Sequence, residues 1–493
     1  MAIKKWGLLA ACGFFLAVTA HLYWEAHERA AFTFPVPWPD ETSFLLPALA
    51  FADHGSLFTE ELNPEREIFW MPPGYMLSTG LVFGVADFSF SRARDLSAIC
   101  VLLALPLIVC IVARFGLALP MSVLCSLVFL NRYFVAAGNI ARMEALLVLM
   151  LAAGFFLIFY GRKNWGFSLL ALAPLVHPNG VFFLAAAVIC DLLSKDVPFH
   201  RSMRKKRDLL PFLAVVAAWL FYLAHVLRNW GAFWNDMAFQ FTLKQQGSAL
   251  AAFLEPGALA VLLILFLCGL INRREKLGAG YLLAMALPAW LAGYAGRVSQ
   301  MFWYGIFDIL ACLFAAAMAL HVLWRLSGRL ADLAARRALR LAAFAALFAA
   351  SLVLLFLRGV VEWPLDYPPA MTFAGMTTAA PAYVTPSELE EVRAFLETQT
   401  APGKTLSVEF FPSADGLFFK EKPLRSMRIS SPVFHAGQAD LFVVHVSPAL
   451  PGWWDAQLKE ALAKGRIAPE RDLFLRNGES LWFAGRREAN RPP

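Results

Sequence analysis

Trp38-Pro39-Asp40-Glu41-Thr42 stands a short way beyond an apolar run over residues 6–24, and its reading decides how the rest of the chain is organised. An adjacent acidic pair at the point where a chain leaves the bilayer has no general structural purpose. Two readings of it stand side by side. Asp40 caps a helix over 41–54, with Glu41 in its favourable first turn. Alternatively, a carboxylate at the interface accepts the proton of an attacking hydroxyl, a role typically worth about 10²–10⁴-fold in rate. The two are compatible, because a cap also holds a carboxylate in place.

The composition around this pair is that of a polytopic membrane protein. Of 493 residues, 59% are hydrophobic and 16% charged, with a mean hydropathy of +0.59. Soluble domains carry roughly 25% charged residues, so most of this chain lies in lipid. Apolar runs of bilayer-crossing length predict spans near 6–24, 96–113, 117–136, 141–160, 209–227, 257–271, 278–295, 300–320 and 341–360. The net charge of +7 comes largely from Lys4-Lys5, Arg162-Lys163, Arg201 to Arg207, Arg273-Arg274-Lys276 and Arg325 to Arg340. Alternating spans put these loops on one side, which sets the N-terminus in the cytoplasm and excludes a nucleic-acid role.

Residues 165–193 are apolar between two basic, cytoplasmic flanks, so the segment must enter and return. His177-Pro178-Asn179-Gly180 at its middle is a turn signal, predicting a short hairpin with His177 near the tip, facing the outer side. Counting the hairpin as two gives about eleven membrane segments. The first run could pass for a signal peptide, with Val18-Thr19-Ala20 as its cleavage site. Its continuation through Tyr23 and Trp24 favours a retained anchor.

The loop from 25 to 94 is external and contains two amphipathic candidates, 41–54 and 74–85, expected to lie in the interface with their apolar faces in lipid. Residues 1–360 are read as the transmembrane unit. Pro364, Pro368, Pro369 and Pro381 mark a linker over 361–385. Residues 386–493 read as a small external α/β domain, with helices over 387–398 and 453–463 and strands over 404–410, 440–446, 472–475 and 480–483. The seven cysteines fall in predicted membrane segments, so no disulfide framework is implied. The nine histidines show no metal-ligand spacing.

Basic residues on the outer side are candidates for holding a phosphate: Arg92, Arg94, Arg142, Lys244 and Arg297. Arg142 and Arg297 depart from the positive-inside trend; the alternative is snorkelling to the interface. Arg142 also has Glu144 close by as an ion-pair partner. His177 lines a cavity or packs within the hairpin. Asp308, after Trp303-Tyr304, is an acid well inside a span. Trp230, Phe233, Trp234 and Phe239 form an interfacial belt or an entrance for a lipid chain.

Together these pieces resemble the GT-C glycosyltransferases that use polyprenyl-phosphate sugars, in the branch of protein O-mannosyltransferases and lipid A aminoarabinose transferases. The likeness rests on Pro39-Asp40-Glu41-Thr42, Ala50, Gly55, Pro72-Pro73-Gly74-Tyr75, Phe83-Gly84 and Ser91-Arg92-Ala93-Arg94. Ala141-Arg142-Met143-Glu144, the 177–180 turn and the α/β tail extend it. The resemblance implies a GT-C fold in a bacterial inner membrane, with the C-terminal domain in the periplasm. It implies inverting transfer of a sugar from a polyprenyl-phosphate donor to a lipid, glycan or protein acceptor, without a cofactor or a dedicated metal site. Asp40 would be the catalytic acid residue supported by Glu41, an outer arginine would steady the departing phosphate, and Tyr75, His177, Asn179 and Tyr304 would line the substrate cavity. Where the aminoarabinose transferases carry a Glu-Lys pair this chain has Trp70-Met71, so aminoarabinose is not implied as the sugar. The competing reading is a transporter or lipid flippase, which would depend on Asp308 more than on Asp40.

Overall fold

The computed structural model describes residues 2–33, 39–59, 62–63, 65–69, 71–115, 118–193, 206–244, 279–298, 304–330 and 386–398, and strands at 405–409, 428–430, 441–446, 467–474 and 480–486. The predicted spans at 257–271 and 341–360, the linker and the helix at 453–463 lie outside this set.

Helix α1 (Ala2–Thr33) runs through the first apolar segment and beyond it. Its inward face buries Tyr23, whose hydroxyl donates to the Phe134 carbonyl at 2.9 Å. Next come α2 (Pro39–His54) and α3 (Gly74–Phe83) in the external loop. At the end of α2, Gly55 takes φ +69° and its N–H returns to Phe51 O, the left-handed termination that glycine permits.

These two loop helices bury one another, while Leu81, Val82 and Val85 at and just beyond the end of α3 stay exposed. Phe44, Leu45, Leu46 and Ala48 of α2 are buried, as are Tyr75, Met76 and Phe83 of α3. The contact is close enough that a Cβ on Gly80 would sit 2.6 Å from the Ala48 carbonyl oxygen. Both helices are apolar on several faces, so mutual packing removes more surface from water than a one-sided docking would.

Helices α4 (Phe90–Ala113), α7 (Met143–Phe159) and α8 (Lys163–Val176) form the centre of the core. Gly154 of α7 faces Gly166 of α8, where a Cβ on Gly166 would lie 2.5 Å from the Gly154 oxygen; small residues let the backbones approach, as in membrane helix pairs. The span expected over 117–136 is broken. It consists of α5 (Ala118–Phe129) and α6 (Arg132–Gly138), bent by 65° at Leu130-Asn131. Asn131 caps α6 by accepting from Tyr133 N at 2.9 Å.

The segment at 165–193 is a helical hairpin, α8 followed by α9 (Gly180–Leu193), with the turn at 177–179. Its open end is closed by Lys163 Nζ to Asp191 Oδ1 at 2.8 Å, and Tyr281 OH donates to the same oxygen at 2.6 Å. Beyond it, α10 (Lys206–Arg228) is apolar and largely exposed, and is followed by α11 (Trp230–Lys244). Helices α12 (Ala279–Val298) and α13 (Gly305–Leu330) pack together, with Asp308 seated directly against Gly293.

Among the described residues, Phe90–Ala113 and Leu209–Arg228 are long and apolar enough to cross a membrane, and the bent α5–α6 pair passes the same test as a unit. Several other apolar helices are shorter, so the expected number of spans is not reached there. Toward the C-terminus stand α14 (Pro386–Thr398) and strands β1 (Thr405–Glu409), β2 (Arg428–Ser430), β3 (Leu441–Val446), β4 (Ile467–Phe474) and β5 (Ser480–Arg486). The sheet order is β2-β1-β3-β5-β4, parallel between β1 and both β2 and β3, antiparallel elsewhere. Strand β2 had no counterpart in the sequence reading, and β4 and β5 are longer than expected.

Candidate active site

Glu41, in the first turn of α2, is fully buried and held from three directions. Arg94 of α4 donates from Nε to Oε1 at 3.1 Å and from Nη2 to Oε2 at 3.0 Å. The backbone N–H of Ala141 donates to Oε1 at 2.6 Å. The Arg94 guanidinium also stacks 4.2 Å from the Phe90 ring centre. A two-pronged arginine fork with a further backbone donor satisfies a buried carboxylate well, and repays much of its desolvation cost. Glu41 therefore acts as a rivet joining α2, α4 and the α6–α7 turn. Asp40 is the preceding residue of α2, so its backbone is fixed by the rivet; its side chain lies outside the described set.

A second charged cluster lies immediately beyond Ala141. Arg142 immediately precedes α7 and forks onto Glu144, with Nε to Oε2 at 3.2 Å and Nη2 to Oε1 at 3.1 Å, both residues buried. His177, at the tip of the α8–α9 hairpin, places Nε2 3.7 Å from Glu144 Oε1 and 3.2 Å from the Tyr304 hydroxyl. Its Nδ1 accepts the backbone N–H of Asn179 at 3.0 Å. An Nδ1 that accepts carries no proton, so the imidazole is the Nε2–H tautomer, donating toward Tyr304 and Glu144. The side-chain amide nitrogen of Asn179 is buried with no hydrogen-bond partner among the described residues.

The two clusters are continuous. The Arg142 guanidinium lies 5.3 Å from the Phe44 ring centre, and Phe44, one turn after Glu41, meets Tyr75 edge-on at 5.8 Å. The hairpin is seated by Gly74: a Cβ there would fall 2.5 Å from Leu175 O, two residues before His177. Thus α2, α3, α4, α7, α8 and the start of α13 converge on one site.

The sequence candidates divide accordingly. Glu41, Arg94, Arg142, His177, Asn179, Tyr304 and Tyr75 come together, with Tyr75 buried against Phe44. Arg92 is exposed and donates to Asp87 O at 2.6 Å in its own loop. Lys244 ends α11 and Arg297 lies in the last turn of α12; their side chains are outside the described set. Glu144 was noticed in the sequence only as a neighbour of Arg142. Its bridging to His177 depends on a fold contact with no local signature. Among the described residues, the buried arginines Arg94 and Arg142 are each matched by a carboxylate, so these paired groups sum to no net charge. Among the described residues no group of three His, Cys, Asp or Glu could hold a metal ion.

The external loop is also fastened to the periphery. Arg66 forks onto Asp236 of α11 at 2.8 and 2.6 Å, and Asp236 accepts Phe69 N at 2.8 Å. Beside it, His225 Nε2 lies 3.0 Å from Glu67 Oε1.

No protein-family model and no curated protein matches this chain. A solved structure does: the crystal structure of ArnT from Cupriavidus metallidurans bound to undecaprenyl phosphate, at 17% identity and a TM-score of 0.54. The likeness spans 96% of this chain and 97% of that one. In fold, the protein is therefore similar to ArnT over nearly its whole length.

Proposed function

We propose that the chain is an inverting glycosyltransferase of the GT-C type, which moves a sugar from a polyprenyl-phosphate donor to an acceptor hydroxyl at the outer face of a bacterial inner membrane. The observation that carries this reading is the buried Glu41–Arg94–Ala141 rivet. It makes Glu41 a positioning residue and leaves its neighbour Asp40 as the carboxylate for the chemistry. In the reaction, the acceptor oxygen forms a bond to the anomeric carbon while the bond from that carbon to the phosphate oxygen breaks. Asp40 takes the acceptor proton, and the lipid phosphate leaves as the anion.

The end-to-end likeness to a protein crystallised with undecaprenyl phosphate supports a lipid-linked donor. The Tyr304 hydroxyl and the Asn179 amide beside His177 are suited to sugar hydroxyls and phosphate oxygens. Arg92, Arg297 and Lys244 remain candidates for the phosphate, whereas Arg94 and Arg142 serve first as partners of carboxylates. The N-terminus is placed in the cytoplasm and the C-terminal α/β domain in the periplasm, on the charge pattern of the loops. A transporter reading gains nothing from Asp308, which sits in the α12–α13 contact against Gly293.

The test is release of polyprenyl phosphate from a panel of polyprenyl-phosphate sugars by purified protein in liposomes, with membrane extract supplying acceptors. Turnover of one donor names the sugar and the reaction class together. Transport of intact donor without cleavage would overturn the proposal.

A further inference from the structure

Two consecutive residues of α4 hold two different helices. Arg94 holds Glu41 of α2, and Asp95 holds α1 through His27, whose Nε2 lies 2.9 Å from Asp95 Oδ1. His27 is buried, whereas the Asp95 side chain is partly open to the outside. A carboxylate oxygen accepts, so the shared proton sits on Nε2. The other ring nitrogen, Nδ1, is buried with no hydrogen-bond partner among the described residues.

The two attachments share their supports. Tyr23, one turn before His27 on the same face of α1, donates to the Phe134 carbonyl of α6 at 2.9 Å. Its hydroxyl occupies the space beside Gly138, where a Cβ would collide with it and lie 3.2 Å from the Ala98 Cα of α4. Three residues after Gly138, the Ala141 N–H reaches Glu41. Helix α4 and the α6–α7 turn therefore hold both the outer end of α1 and the start of α2. Residues 28–40, which end on Asp40, run between those two fixed points.

Stability does not account for the His27–Asp95 pair. An apolar side chain of similar volume would pack in the same place without leaving a buried nitrogen unbonded. What the pair supplies is direction: one donor on one acceptor fixes the height and rotation of α1 against α4, which an apolar contact does not. We infer that His27 is a second positioning residue for Asp40, fixing the chain on the N-terminal side as Glu41 fixes it on the other. This rests on the proposed glycosyltransferase reading and adds a residue to it.

The test uses full-length protein in liposomes with a polyprenyl-phosphate sugar that the wild type cleaves. His27→Leu should melt at or above the wild-type temperature, yet show a kcat about tenfold lower or less at unchanged donor KM. Amide exchange over residues 28–40 should quicken while the core helices stay protected. His27→Gln, whose amide nitrogen reaches about the place of Nε2, should recover most of the rate. Asp95→Leu breaks the same contact from α4 and stands in if His27→Leu does not fold; changing both residues should cost no more than changing one. A wild-type kcat in the Leu variants overturns the inference. So does a fall in melting temperature that accompanies the loss of rate, which would mark an ordinary structural contact. Failure of His27→Gln alongside His27→Leu would give the imidazole a direct part in the chemistry and also overturn it. If the wild type cleaves no donor, the glycosyltransferase reading fails by itself, and unchanged exchange over residues 28–40 in His27→Leu would still overturn the positioning.

Discussion

Replacing Glu41 by Ala removes three hydrogen bonds at once, two from Arg94 and one from the Ala141 backbone. The larger effect is on what remains. Arg94 is about as buried as its partner and would keep its charge while losing that carboxylate. Breaking a buried pair from one side typically costs about 3–5 kcal/mol, a large share of the stability of an ordinary domain. Removing both charges together leaves no bare ion. The double variant Glu41→Ala with Arg94→Met should recover much of the loss, giving a strongly favourable coupling between the two sites. Thermal unfolding of detergent-purified protein, followed by a fluorescent thiol or by intrinsic tryptophan emission, reads all members of the cycle. Activity separates position from chemistry: the double variant should be folded but slow, because Asp40 is no longer anchored. A Glu41→Ala protein as stable as wild type would refute the rivet. A folded, fully active double variant would refute its link to Asp40.

Two further outcomes follow from particular contacts. Gly74→Ala pushes a methyl into the Leu175 carbonyl, which is backbone and cannot move aside cheaply, so a loss of about 1–3 kcal/mol is expected together with reduced turnover through displacement of His177; unchanged stability in a melting assay would show that the hairpin is loosely seated. Asp236→Ala strips Arg66 of its fork and Phe69 of its acceptor, and should raise protease cleavage in the 60–70 loop while leaving the core helices protected; a digestion pattern identical to wild type would contradict that fastening.

Much of this arrangement is legible in the sequence because chemistry and punctuation coincide there. The turn at 177–180 is announced by Pro-Asn-Gly between apolar runs, and the hairpin follows from basic flanks on both sides. The helices after Pro39 and after Pro73 are legible from their apolar content, but not their partners. Lipid and a neighbouring helix are equally apolar, so pattern alone could not show that Gly80 packs on Ala48. The break at Leu130-Asn131 hid inside an apolar stretch whose only local hints were the Asn cap and the charge of Arg132. Glu144 and Ala141 were harder still. One acts through a hairpin tip distant in sequence, and the other through a backbone N–H that any residue except proline would supply.

The central claim is that Asp40, held in place by Glu41, takes the proton of the acceptor. The most direct test is a single-turnover measurement with Asp40→Asn in liposomes, using whichever polyprenyl-phosphate sugar the wild type cleaves. The account predicts a folded protein that still binds the donor but whose cleavage rate falls by about 10²-fold or more. Cleavage at the wild-type rate would contradict it and move the search for the base elsewhere in the site.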